Sequence, residues 1–407
     1  MLAVWKGLSR VAPWALHALA RRAHHRQGAD PARLTERFGH RTAPALDKPI
    51  WFHGASIGEI AQIRRVAQFV NDQGQAVLIT TGTATSAAWV ARHMSFATHA
   101  YAPVDTPRAV ARFLDAWRPA VACFAEGDLW PNLVSGCGAR AIPLALLNPR
   151  PSKTRARFAK GFGEILAGFE FVSCKSQDLL DEFADLGVAT DALILAPDLK
   201  RFAQGDASPP FAKPNRLVIV AASTHLADEA PVIAAFRAVL NQDPTALLII
   251  APRHPERGAA LANTPGLTTA QRSLGRDITP QTQVYIADTT GELTGFLALA
   301  DITFMGGSFG DQGGHNPYEA VAAGTPILTG PRVANFAEAY ADLSVAGVTI
   351  ICADEDALTA EWLRLVDPVL RTQMAKAAKG FLHEDEQDLE DFLTRFQKLI
   401  DRTSEYR

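Results

Sequence analysis

The segment Gly306-Gly307-Ser308, followed closely by Gly313-Gly314-His315-Asn316-Pro317-Tyr318-Glu319, carries residue types that suit the binding of an anion. Glycines let a backbone turn and approach a ligand at φ values other residues resist. Asn316 reads as an N-cap, Pro317 as the first helical residue, Glu319 as N3 and Gly324 as the helix end. Free N–H groups and the positive end of a helix dipole, placed at the carboxyl end of a strand, favour phosphate. The same residues also fit a well-capped helix without a ligand, Glu319 reaching back as in a capping box.

Other polar clusters directly follow apolar runs. Glu59, in His53-Gly54-Ala55-Ser56-Ile57-Gly58-Glu59, opens a helix, where a carboxylate can take a proton from an attacking hydroxyl or merely suit the first turn. Glu126 leaves an apolar strand and either orients a base or substrate or caps the next segment. Lys200 is a cation for developing negative charge, or a solvated lysine. Arg253 follows Leu247-Leu248-Ile249-Ile250-Ala251-Pro252, which delivers a guanidinium fork to the edge of a sheet. Gly291 and Glu292 open another helix that ends near Ala300. His225, His254 and His315 lie on separate loops with no i, i+4 spacing and no acidic cluster, so no metal site is expected.

These clusters need a framework. Apolar runs at 50–53, 76–80, 99–102, 121–125, 142–147 and 171–174 alternate with helical patterns such as 107–117 and a Ser176-capped segment ending before Gly187. After a proline-rich stretch the rhythm restarts, with runs at 217–222, 246–251, 284–287, 302–305, 326–329 and 349–352. The alternation predicts an α/β protein of two Rossmann-like, doubly wound domains facing across a cleft. The expected bounds are 27–204 for the first domain, 205–216 for a linker and 217–407 for the second domain.

Residues 1–26 stand apart, with Leu2, Val4, Trp5, Leu8, Val11, Trp14, Leu16 and Leu19 interleaved with Lys6 and Arg10 and followed by Arg21, Arg22 and Arg26. No uncharged run there approaches the roughly 20 residues that span a bilayer. The pattern suits a helix lying on an anionic membrane surface, or equally an amphipathic helix packed on its own domain. At 407 residues, 48% hydrophobic and 20% charged, the chain is ordinary for a soluble two-domain protein. A net charge of −3 gives no basic footprint, so nucleic acid is not an expected partner. Cys123, Cys137, Cys174 and Cys352 are widely spaced with no CxxC pair, as for reduced thiols in a cytoplasm.

Together these motifs resemble the Kdo transferase family, the 3-deoxy-D-manno-octulosonic acid transferases of lipopolysaccharide assembly. The resemblance runs from Arg33-Leu34-Thr35-Glu36-Arg37-Phe38-Gly39 through the Ser56–Glu59 turn, Leu129-Trp130-Pro131-Asn132-Leu133, Ser223-Thr224-His225, Pro252-Arg253-His254-Pro255-Glu256-Arg257 and Gly291-Glu292-Leu293 to Gly313-Gly314-His315-Asn316-Pro317. It implies a GT-B glycosyltransferase moving Kdo from CMP-Kdo to a lipid A precursor with inversion, at the cytoplasmic face of the inner membrane and without a metal or other cofactor. It further implies Glu59 as catalytic base, Glu126 and Lys200 as groups that stabilise the transition state, and Pro252, Arg253, Thr290, Gly291, Glu292, Asn316, Pro317, Tyr318 and Glu319 as the residues that hold CMP. The chain departs from the family pattern at Ala125-Glu126-Gly127-Asp128, Asn148-Pro149-Arg150-Pro151-Ser152 and Pro197-Asp198, so the donor is better indicated than the acceptor. Three other readings stay open: a transferase with this donor and another acceptor, a GT-B-fold nucleotide-sugar epimerase, and a catalytically silent nucleotide-binding paralogue. Retention of Glu59, Glu126 and Lys200 together argues against the last.

Overall fold

The computed structural model describes residues 2–203 and 208–405. The chain divides into two compact units, Met1–Ala203 with Gln387–Arg407, and Gln204–Glu386.

The first unit is built on β1 (Ile50–His53), β2 (Val77–Thr81), β3 (Thr98–Tyr101), β4 (Val121–Ala125), β5 (Leu144–Leu147), β6 (Phe169–Cys174) and β7 (Leu193–Leu195). They form one parallel sheet in the order β3-β2-β1-β4-β5-β6-β7. Successive side chains of β1 alternate between two cores, as strand geometry requires. Trp51 packs with Phe113, Trp117 and Phe124 on one face, while Ile50 and Phe52 pack with Ile60, Ile63 and Val66 on the other. Runs buried on both faces read as continuously apolar, which is why most strand positions were legible.

The second unit repeats the design with β8 (Val218–Thr224), β9 (Leu247–Pro252), β10 (Thr269–Gln271), β11 (Val284–Ile286), β12 (Ile302–Met305), β13 (Ile327–Thr329) and β14 (Thr349–Ile351). The parallel order is β10-β11-β9-β8-β12-β13-β14. In a doubly wound sheet the ligand position lies at the carboxyl edge where the strand order reverses, here between β1 and β4 and between β8 and β12.

The expected domain bounds need two corrections. The C-terminal helix Pro368–Glu405 does not stay in the second unit: Leu389, Phe392, Phe396, Leu399 and Ile400 are buried in the same cluster as Ile50 and Phe52. Their spacing keeps one apolar helix stripe against the first sheet, and each such side chain stabilises that docking by roughly 1.5–3 kcal/mol. Within the expected linker, Phe211 packs on Tyr285 at 5.7 Å and on Phe296 at 6.1 Å, and Lys213 pairs with Asp301 at 2.8 Å, so this part belongs to the second unit. Residues 204–207 of that stretch lie outside the described residues.

The N-terminal segment is two helices, Leu2–Val11 and Pro13–Arg26, interrupted where Pro13 removes a backbone donor. Both fold onto the first unit. Trp5 Nε1 donates to Asp105 Oδ2 at 2.6 Å, Asn132 Nδ2 donates to Ser9 Oγ at 2.9 Å, and buried His24 bonds the Asp30 carbonyl at 2.8 Å. No helix among the described residues is long and apolar enough to cross a membrane.

Candidate functional site

In the first unit, helix Ile57–Asp72 starts immediately after β1 and presents Glu59 in its first turn. Ser56 and Glu59 form a capping box: Ser56 Oγ accepts from Glu59 N at 3.3 Å, and Glu59 Oε2 accepts from Ser56 N and from Ala55 N. Both carboxylate bonds engage Oε2, which holds the side chain and leaves Oε1 for a ligand. Burial raises the Glu59 pKa, and the charges of Glu126 and Asp128 raise it further, against the lowering effect of the Ala55 and Ser56 N–H groups. A carboxylate so tuned is a better proton acceptor near neutral pH than an ordinary glutamate.

Glu126 follows β4, is buried, and sits in the left-handed region at φ 56°. Lys200 Nζ lies 3.0 Å from its Oε1, Gln62 Nε2 donates to the same oxygen at 3.1 Å, and Arg150 Nε lies 3.4 Å from Oε2. Asp198 Oδ1 accepts from Lys200 N at 3.0 Å, capping the short turn Leu199–Phe202 that carries the lysine. Glu59, Glu126, Asp128, Arg150 and Arg155 line one pocket. Burial works to raise the Asp128 pKa, but the hydrogen bond and charge of His53 outweigh it and leave it lowered. Thr80 Oγ1 takes the Trp51 indole N–H at 2.8 Å and meets His53 Nδ1 at 2.9 Å, and the Asp128 carboxylate, 3.1 Å from Nε2, places a ring proton there. Glu59, Glu126 and Lys200 are thus brought together, and Gln62, Asn148, Arg150 and Asp128 complete the constellation.

In the second unit the glycine loop differs from expectation. Gly307 N, Ser308 N and Phe309 N donate to the carboxylate of Asp228 at 2.7, 3.2 and 3.0 Å, and His225 N donates to it at 2.8 Å. The anion seat expected at Gly306–Ser308 is therefore filled by the protein's own buried carboxylate. Close approach still explains the glycine: a Cβ at Gly306 would meet Ser223 O at 2.7 Å. The helix after the loop is short, Tyr318–Ala322, with Pro317 at its cap; Asn316 Oδ1 accepts from Tyr318 N at 3.1 Å, whereas Glu319 forms no capping box. Tyr318 is buried in the core.

His225, after β8, and His315 stack with ring centroids 5.1 Å apart and Nε2 atoms 2.9 Å apart, and His254 stands edge-on to His225 at 5.4 Å. Burial lowers the pKa of both members of the pair, and for His315, pushed down to about 4, the neighbouring His225 and Arg253 add to the effect. Both imidazoles are thereby pushed toward the neutral form, and the exposed Arg253 is a standing positive charge at this edge. Burial raises the Glu319 carboxyl pKa, with Arg253 opposing. Arg253, His225, His254, His315 and Glu319 therefore share one electrostatic neighbourhood. Pro252 ends β9, next to β11, beyond which Thr290, Gly291 and Glu292 lie. Glu292 is not free: Arg272 grips it at 2.7 and 3.1 Å, and Thr289 donates to it. The helix after it is Leu293–Leu297, shorter than the expected run to Ala300. Among the described residues no group of three or more His, Cys, Asp or Glu is placed to hold a metal ion.

Residues 32–203 match the family model described as 3-deoxy-D-manno-octulosonic-acid transferase (kdotransferase). The chain is 33% identical over 373 residues to the 3-deoxy-D-manno-octulosonic acid transferase of Bordetella pertussis, covering 86% of this chain and 87% of that one. It is 32% identical over 372 residues to the enzyme of the same name from Haemophilus influenzae, covering 86% of each. Among solved structures, the glycotransferase of kitacinnamycin superposes with a TM-score of 0.57 at 15% identity, covering 88% of this chain and 100% of that one, a likeness of fold.

Proposed function

Because the chain belongs to the 3-deoxy-D-manno-octulosonic acid (Kdo) transferase family, we propose that this GT-B glycosyltransferase moves Kdo from CMP-Kdo to a lipid A precursor, with inversion, in lipopolysaccharide assembly. The observation that carries the reading is Glu59, a carboxyl of raised pKa beside Glu126 and Asp128. Its free oxygen takes the proton of the acceptor hydroxyl as the hydroxyl oxygen attacks the anomeric carbon on the face opposite CMP, whose bond to that carbon breaks. Lys200, paired with Glu126, offsets negative charge in the transition state. CMP leaves as a phosphate monoester with a second pKa of roughly 6, and Arg253 supplies the cation that receives it without a divalent ion. Pro252, Thr290, Gly291, Asn316, Pro317 and Glu319 complete the CMP site, while Glu292 and Tyr318 serve it by holding Arg272 and the short helix in place.

The test is mass spectrometry of the lipid after incubation with CMP-Kdo and a tetraacylated lipid A precursor. Addition of Kdo is expected; an unmodified lipid with CMP released to water, or no CMP released, would sink the reading. Arg253→Ala is expected to weaken CMP binding roughly tenfold or more by calorimetry, the loss of a charge-assisted contact. Unchanged affinity would remove Arg253 from the site.

We also propose that the N-terminal helices rest on the cytoplasmic face of the inner membrane. Leu8, Val11, Trp14 and Leu19 are exposed, Val11 at 82% and Trp14 at 74%, among exposed Arg10, Arg21, Arg22 and Arg26. Apolar side chains flanked by cations suit an anionic lipid surface. Deleting residues 1–26 would strip Asp105 and Asn132 of buried partners, so point changes test this better. Val11→Ser with Trp14→Ser is expected to lower partition onto anionic vesicles at least about tenfold without shifting the unfolding temperature. Undiminished co-sedimentation would return these helices to a purely intramolecular role.

A further inference from the structure

The groups around Glu126 close into a ring that runs through two side chains with no part in the chemistry proposed for Glu59 and Lys200. Gln62 stands on the same helix as Glu59, one turn along and fully buried. Its Nε2 donates to Glu126 Oε1 at 3.1 Å, and its Oε1 accepts from Asn148 Nδ2 at 2.6 Å. Asn148 Nδ2 also donates to Asp198 Oδ1 at 2.9 Å. Asp198 caps the turn bearing Lys200, whose ammonium returns to Glu126 at 3.0 Å.

Each link fixes the next. Both acceptors facing Asn148 are oxygens, so its amide nitrogen must point at them, and its own Oδ1 is left buried without a partner. Gln62 Oε1 is thereby committed to Asn148, which turns Gln62 Nε2 onto Glu126. The arrangement also holds Glu126 and Asn148 in the left-handed region, at φ 56° and 52°, one residue beyond the paired ends Ala125 and Leu147 of β4 and β5. Two strained non-glycine residues and an unpaired buried carbonyl are unfavourable for folding. Such features persist where their geometry is used. With Gln62, Lys200 and Arg150 around it, Glu126 has donors on both oxygens, whereas Glu59 keeps one oxygen open.

We infer that Gln62 and Asn148 are positioning residues for sugar transfer: through this closed ring they aim the Glu126 carboxylate and, with it, the Lys200 ammonium. The inference rests on the proposed transfer reaction. The ring does no proton chemistry itself; it fixes where the lysine stands when charge develops, and displacement by about an ångström is enough to slow such a step.

Gln62→Leu keeps the volume and removes both links. It is expected to lower kcat about tenfold or more, with KM for CMP-Kdo and calorimetric CMP affinity within about twofold of the parent. Gln62→Glu adds a signature that a purely structural role lacks. Its carboxyl faces Glu126, with Asp198 and its partner Lys175 beyond Asn148, Glu59 and Asp128 in the pocket and Lys200 and Arg150 as cations on Glu126. When protonated it can donate to Glu126 as the amide does. The ratio of variant to parent kcat, each taken after fitting that protein's own Glu59 acid limb, is therefore expected to rise as pH falls. A Gln62→Leu kcat within twofold of the parent, or a Gln62→Glu ratio flat with pH, overturns the proposal. Hydrogen exchange of the Gln62 and Asn148 side-chain amides, followed by NMR in the parent, tests the ring without turnover: slow exchange supports it, and exchange as fast as in exposed amides refutes it. A parent that transfers no sugar would count against the function, while slow exchange would still uphold the ring.

Discussion

Glu59→Gln is expected to transfer Kdo at least about a hundredfold more slowly than the parent, the usual contribution of a general base, while CMP affinity stays unchanged. The substitution is close to isosteric. A glutamine oxygen can replace Glu59 Oε2 as acceptor for the Ser56 and Ala55 N–H groups, so the capping box and the helix start survive. What disappears is the second carboxylate oxygen, whose place an NH2 group takes. The pH profile separates this role from a structural one. A base works deprotonated, so the parent kcat should fall as pH drops through the Glu59 pKa, and burial with two neighbouring carboxylates puts that limb above the ordinary glutamate range. In Glu59→Gln the residual rate should lose this limb. Transfer near the parent rate, or an unchanged acid limb, would place the base elsewhere.

The framework was legible wherever a segment was buried on both faces. The runs at 50–53, 121–125 and 302–305 coincide with β1, β4 and β12, because apolar stretches bounded by glycine, proline and polar clusters leave few alternatives. β7 and β10 were not expected; both are three-residue edge strands, and β10, Thr269-Ala270-Gln271, has no apolar run to mark it. The return of the C-terminal helix to the first unit was hidden for another reason: an apolar stripe records that a helix is covered, not which sheet covers it. Site residues divide in the same way. Glu59, Glu126 and Lys200 could be singled out because each comes after a recognisable strand or turn. Gln62, inside a helix, carried no such mark, and Asn148 does follow the run 142–147, but an amide looks alike in sequence whether it is solvated or locked in a ring. The fork of Arg272 on Glu292 joins residues whose pairing only the parallel stacking of β10 on β11 creates.

Asp228 shows most sharply what sequence position conceals, and its replacement is the second change of large expected effect. As an acid in the first turn of helix Leu226–Gln242 it reads as a capping residue, and it does accept from His225 N. Its other contacts reach the glycine loop some eighty positions along the chain, at Gly307, Ser308 and Phe309. Each carboxylate oxygen accepts from two backbone N–H groups. Asp228→Asn therefore has no good orientation, because either flip of the amide turns an NH2 group toward two donors. Losing two bonds to a charged acceptor and stranding buried donors costs about 3 kcal/mol or more, a fall of roughly 6–12 °C in the unfolding temperature of a unit this size. The damage should also reach the ligand. The loop that Asp228 clamps leads to His315 and Asn316, and its release should weaken CMP binding at least about tenfold, more than a remote substitution of equal stability loss. Thermal unfolding and calorimetry on the same protein decide it: a variant that melts with the parent would mean that the loop stands without its clamp, and one that melts lower yet binds CMP with parent affinity would confine Asp228 to folding.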